Sequence, residues 1–199
     1  MKTFKINPLK SLVNMSFALL LFTGACGESG DKPKAGSAVG IKTEASVKKP
    51  GINIQAAILS DNHEAVEQHI KAGTDIDKKD PMSGATPLIT AASFGKNKIS
   101  QLLIDAGADL TLKNNDGATA LHVAAFFGRV EVVQLLIDAK ADKTLKNNFG
   151  LTARETVMGP FEEMKPIYEM LQQQLGPLGM QIDLKEIEKT RLVIAMMLQ

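Results

Sequence analysis

The stretch LLIDAGADLTLKNN, from Leu102 to Asn115, returns as LLIDAKADKTLKNN from Leu135 to Asn148, with 12 of 14 positions identical at an offset of 33 residues. A period of this size marks stacked supersecondary units, because one such unit is too small to bury its own apolar face and copies bury one another's. The repetition is therefore structural. It commits this part of the chain to a stack in which each unit touches its neighbours, rather than to one closed core.

Extending the alignment outward gives GATPLITAASFG at 84–95, GATALHVAAFFG at 117–128 and GLTARETVMG at 150–159, with Thr86, Thr119 and Thr152 again 33 apart. Each Thr suits a helix N-cap, its hydroxyl accepting from an orphan backbone N–H. Pro87 suits the first helical position, where no donor is missed. Gly95 and Gly128 then end short helices in a left-handed conformation. A second helix follows in each unit, NKISQLLIDAG or VEVVQLLIDAK, predicting Leu102, Leu103, Leu135 and Leu136 on a buried face. Lys140 stands where the preceding unit has Gly107, so a left-handed residue with a side chain is expected there. Apolar residues make up 44% of the chain but aromatics only 5%, so this core must rest on Leu, Ile, Val, Ala and Met.

The motifs TPLITAA and TALHVAA, followed by LLIDAGAD at a period of 33, resemble the ankyrin repeat. That resemblance implies an all-α solenoid of helix-turn-helix units joined by β-turns. The match is specific in 85–148 and extends more weakly over 52–158, dividing into units at about 52–79, 80–113, 114–146 and a partial 147–158. Upstream, 54–77 aligns by a shift of 34, Ala57 matching Ala91 and Gly73 matching Gly107. Gln68 and His69 there replace Leu102 and Leu103, as in a terminal unit with a polar outer face. Downstream, Pro166 falls inside the expected second helix of the fourth unit, and 159–199 reads as a helical C-terminal cap ending in an amphipathic helix with Leu184, Ile187 and Ile194 on one face. A separate partner-binding helix is the rival reading of that tail.

The N-terminus reads as an address. MKTFKINPLK is basic, and SLVNMSFALLLF is an apolar run too short to span a bilayer comfortably but fitting a signal peptide. TGAC then places small residues before Cys26, the single cysteine of the chain. This resembles the lipobox of bacterial lipoproteins, which implies a signal peptide over 1–25 and a lipidated Cys26. Thr23 departs from the Leu that family prefers. An ordinary cleaved signal peptide, or a buried Cys in an uncleaved helix, is the alternative. Gly27 rather than Asp after the cysteine implies the outer membrane, facing the periplasm. Residues 26–51, rich in Gly, Ser, Lys and Pro, read as a flexible tether.

Charge and chemistry narrow the function. Lys2, Lys5 and Lys10 face no acid within 1–25, and the remainder of the chain carries a net charge of −2. There is no basic footprint for nucleic acid. HEAVEQH (63–69) misses the zinc-protease spacing, since Glu67 stands where the second His belongs, and reads as solvated helix surface. No phosphate loop, nucleophile elbow or paired-cysteine motif occurs. In ankyrin repeats the His of Thr-Pro-Leu-His, here His122 in TALH, makes structural hydrogen bonds. The expectation is therefore a non-catalytic, lipid-anchored protein-binding module at the cell envelope, with no metal, cofactor, small-molecule substrate or nucleic acid. An accessory subunit holding a periplasmic enzyme is the first alternative, and an enzyme with an unrecognised site the second. The family's habit of meeting partners with turn tips and exposed first-helix positions implies Ser83, Ala85, Ser93 and Phe94, then Lys113, Asn115, Asp116, Ala118, Phe126 and Phe127, and then Lys146, Phe149 and Leu151. Packing of Phe94, Phe126 and Phe127 between helices is the alternative for those three.

Overall fold

The computed structural model describes residues 49–199. The expected signal peptide (1–25), the expected lipidation at Cys26 and most of the expected tether (26–51) lie outside the described residues. Within them the regular structure is helical. Three helix pairs follow one another: α1 (Ile54–Leu59) with α2 (His63–Lys71), α3 (Pro87–Ser93) with α4 (Asn97–Asp105), and α5 (Ala120–Phe126) with α6 (Val130–Asp138). The first helices pack as α1–α3–α5 and the second as α2–α4–α6.

Helices of six to nine residues are too short to persist alone in water, so caps and packing hold them. Asn53 Oδ1 accepts from Ala56 N at 2.8 Å, Asn62 Oδ1 from Ala65 N at 2.9 Å, and Thr86 Oγ1 from Ile89 N at 3.3 Å. Gly95 (φ 65°) and Gly128 (φ 68°) turn the chain from first to second helix, and Asp61 (φ 57°) does so in the first unit. Ile54, Leu88 and Leu121 recur in the core at matching positions, as do Leu103 and Leu136. Leu102 and Leu135 are only half-buried, because they sit to one side of the packed face. His69 also differs from the sequence expectation. It is buried rather than solvated, its Nε2 bonded to Ile52 O at 2.8 Å and its Nδ1 to Thr74 Oγ1 at 3.0 Å. It ties the entering chain to the first unit where later units carry Leu.

Lys140 has φ 64° and is exposed. A Cβ in this conformation costs roughly 1 kcal/mol relative to glycine. Lys140→Gly is therefore expected to raise the melting temperature by a few degrees, on the scale of about 2–4 °C per kcal/mol for a domain of this size. An unchanged or lower midpoint in a thermal melt would contradict it.

The fourth unit is assembled from separated pieces. Arg154 stands where Leu88 and Leu121 stand earlier, so the first helix loses its core anchor and shrinks to a 3-10 turn, Glu155–Val157. The next segment in sequence, α7 (Phe161–Leu175), does not stack as a second helix. That place is taken by α8 (Leu184–Met197), which lies against α6 and the 3-10 turn, with Ile187 and Thr190 beside Gly128. The predicted C-terminal cap is thus an excursion, 159–183, followed by a helix that closes the stack. Basic side chains fasten it through backbone carbonyls. Arg129 Nη2 donates to Gln181 O at 2.7 Å and Arg154 Nε to Ala195 O at 3.0 Å. Lys143 Nζ donates to Met197 O and Gln199 O, both at 3.1 Å. The last two cations lie at the C-terminal end of α8, where the helix dipole favours positive charge.

Candidate partner-binding surface

Between units the chain makes turn fingers. Asp80, Asn114 and Asn147 occupy equivalent positions, each donating its backbone N–H across the finger to Ala85 O, Ala118 O and Leu151 O at 2.8, 3.0 and 2.9 Å. Gly84, Gly117 and Gly150 then take left-handed φ of 67°, 70° and 76°. The fingers are joined in a ladder. Asn115 N donates to Ser83 O and Asn148 N to Asp116 O, both at 3.0 Å. Asn115 Nδ2 donates to Met82 O at 2.7 Å and Asn148 Nδ2 to Asn115 O at 2.9 Å. In the other direction Lys79 Nζ donates to Lys113 O at 2.7 Å and Lys113 Nζ to Lys146 O at 2.8 Å.

This ladder reassigns several residues expected to face a partner. Lys113 and Asn115 commit their side chains to neighbouring fingers. Ser83 Oγ donates to Asp80 Oδ1 at 2.8 Å, Ser93 Oγ to Ile89 O at 2.9 Å, and Ala85 and Ala118 are buried. Asp116 is half-buried, and that desolvation raises its carboxyl pKa. Leu151 is half-buried, with its carbonyl engaged. Lys146 and Phe149 are exposed. So is Met82, which sequence reasoning missed because it occupies the finger holding the extra residue.

The aromatic residues divide. Phe94 is half-buried against the core and Phe127 is buried, 9% exposed, so neither offers an open face. Phe126 is half-buried and covered from α7, its ring 4.7 Å from that of Tyr168. Phe149, 38% exposed on the last finger, is the one accessible aromatic of the expected set.

His122 is buried beneath the third finger. Thr119 N, which can only donate, points at Nδ1 at 3.3 Å, so the proton belongs on Nε2, which meets Leu151 O at 3.1 Å. Its pKa is lowered, first by desolvation, with Lys113 adding to the effect and the Leu151 carbonyl opposing it. The unfolded state then takes up a proton that the folded state resists. The neutral ring's stabilisation is complete above the unfolded pKa of about 6.5 and is lost as pH falls through the lowered value. Melting temperature is expected to drop as pH falls below about 6.5, and the His122→Gln variant should lose that part of the slope. Equal slopes in the two proteins would contradict this assignment. Among the described residues no three His, Cys, Asp or Glu side chains gather as a metal site.

Stacked helix pairs, left-handed glycines at the finger tips and a finger-to-finger ladder define the repeat geometrically. The family model described as ankyrin repeats (3 copies) matches 54–147. Residues 54–147 are an ankyrin-repeat domain. Protein phosphatase 1 regulatory subunit 27 of Homo sapiens and that of Mus musculus are each 42% identical over 63 residues, 32% of this chain. The match covers 40% of those proteins' length. The crystal structure of the ankyrin-repeat domain of Bcl-3, described as a member of the IkappaB protein family, is similar at a TM-score of 0.50 and 32% identity, over 52% of this chain and 45% of that one. An ankyrin domain is a protein-binding module, and this one meets solvent on the finger side through Met82, Lys146 and Phe149.

Proposed function

We propose that the ankyrin domain binds another protein through its finger tips while a lipid on Cys26 holds it at the cell envelope, and that it performs no catalysis. The observation that carries the binding half is Phe149: an aromatic side chain 38% exposed on a finger whose backbone N–H groups from Asn147 to Leu151 all have partners. Aromatic anchors on rigid supports dominate many interfaces, and losing one costs about 2 kcal/mol or more of binding. Losing an exposed tip side chain shifts fold stability by no more than about 0.5 kcal/mol. The anchor half is supported by the sequence: a basic start, an apolar run and a lone cysteine after small residues. The outer membrane, on its periplasmic side, is the proposed address.

The test is one envelope experiment on the full chain. Wild type is expected to partition with membranes, take up labelled fatty acid and recover a partner. Phe149→Ala should melt like wild type and recover at least about tenfold less of it, and Cys26→Ser should lose labelling and partitioning. Sharply lower melting with unchanged recovery per folded molecule would place Phe149 in the fold. A second reading, an accessory that holds one specific enzyme, is favoured by the likeness to a protein named as a phosphatase regulatory subunit. A single enzyme recovered in fixed ratio would support it, and many unrelated partners would exclude it.

A further inference from the structure

Helix α7 sits outside the stacked framework. The repeats, the 3-10 turn and α8 pack on one another, and α7 is laid across the end of α5. It is bounded by Gly159-Pro160 and Gly176-Pro177, and Pro166 inside it removes one helical hydrogen bond. Of its residues only Tyr168, Leu171 and Leu175 are buried. Tyr168 ties it to the repeats, its hydroxyl donating to Phe126 O at 2.7 Å and its ring centroid 4.7 Å from that of Phe126 and 6.0 Å from that of Phe161. Phe161, Met164 and Ile167 pack partly buried against the core. Phe126 O belongs to the last turn of α5, where a carbonyl has no donor from its own helix.

Beneath α7 lies a buried cation. Arg191 of α8 is 3% exposed, its Nη2 donating to Gly159 O at 2.6 Å and its Nη1 to Tyr168 Oη at 3.5 Å, with the guanidinium 5.8 Å from the Phe161 ring centroid. Among the described residues no carboxylate pairs with it. Burying a charge without a counter-charge is unfavourable, and lifting α7 returns this one to water. The docked helix therefore rests on a site that gains hydration when it leaves.

We propose that α7 is a strap that leaves and rejoins the end of α5 as a unit, and that while docked it closes Phe126 to an incoming partner. This rests on reading the first-helix ends and finger side as the partner surface. Opening needs no rearrangement of the repeats, because α8 is held separately by Lys143 and Arg154.

Hydrogen exchange on the full chain tests the motion. Amides of α7 are expected to exchange at least about tenfold faster than those of α6 and α8, through an opening smaller than global unfolding. Tyr168→Phe, which keeps the ring and loses the hydroxyl bond, should speed α7 by a further factor of about ten and leave α6 unchanged. One shared rate for α7 and α8 in both proteins would overturn the proposal. A labelled synthetic peptide of residues 160–176 tests the closure. It should bind Tyr168→Phe at least about tenfold more tightly than wild type, and Phe126→Ala introduced into that variant should remove the binding. Equal binding to wild type and Tyr168→Phe, or none to either, would show that α7 is not an exchangeable occupant. The peptide is the chain's own segment, so this outcome is independent of any envelope partner. A working strap with no partner recovered would count against the partner surface alone.

Discussion

Replacing Gly117 with alanine is expected to destabilise the domain by about 2–4 kcal/mol, a loss on the order of 5–15 °C in melting temperature. Two effects add. Gly117 has φ 70°, where a Cβ costs about 1–2 kcal/mol. A Cβ at that position would also run into the Asn148 side chain and lie 2.8 Å from the Asn148 backbone nitrogen. That nitrogen is fixed by its bond to Asp116 O, so it has little room to yield. Gly107→Ala separates the two effects. Gly107 has φ 84° but open space around it, so only the conformational cost of about 1 kcal/mol applies. Thermal melts of the pair decide the matter. Equal losses would mean that the second and third fingers are not held in close register.

The second large effect is alkaline. Burial pushes the Tyr168 phenol up from 10.0 to about 12, opposed weakly by Arg191. A folded pKa above the unfolded one stabilises fully below about pH 10 and is lost as pH rises through 12, a contribution of about 3 kcal/mol at 1.36 kcal/mol per unit. The chain has one Tyr and no Trp, so phenolate absorbance reports this residue alone. Its titration midpoint in the folded protein is expected near 12. Stability of the C-terminal segment should fall between pH 10 and 12, and in Tyr168→Phe that part of the fall should vanish. A midpoint near 10 in a chain that is still folded would mean that the phenol is already in water.

The second and third units were legible because their copies constrain each other. The Thr caps, the left-handed positions at Gly95, Gly107, Gly128 and Lys140, and the alternation of short helices all follow from one alignment. The C-terminal segment has no copy to align with. Pro166 inside the expected second helix signalled that the fourth unit would be irregular, but nothing local says that the stacking helix lies beyond 183 rather than after 159. The candidate surface was least legible. Whether a lysine or asparagine on a finger faces solvent or its neighbour depends on the rise between units, which spacing alone does not supply. Phe126 looked open for a related reason: the residue covering it, Tyr168, is 42 positions away.

The finger ladder also bears on how such a chain grows. At the joint between the second and third fingers, one unit contributes Lys113 Nζ and the oxygens of Asn115 and Asp116, and the other contributes Asn148 and the oxygen of Lys146. The joint before it uses Lys79, Met82 and Ser83 against Lys113 and Asn115 in the same roles. The middle finger thus carries a plug on one side and the matching socket on the other. A gene segment of one period, duplicated in place and cut at any point in the cycle, would arrive with both of its new joints already complementary. Lengthening by copying then demands no compensating change at the seam, and the near-identity of 102–115 and 135–148 is what one recent round of it would leave behind.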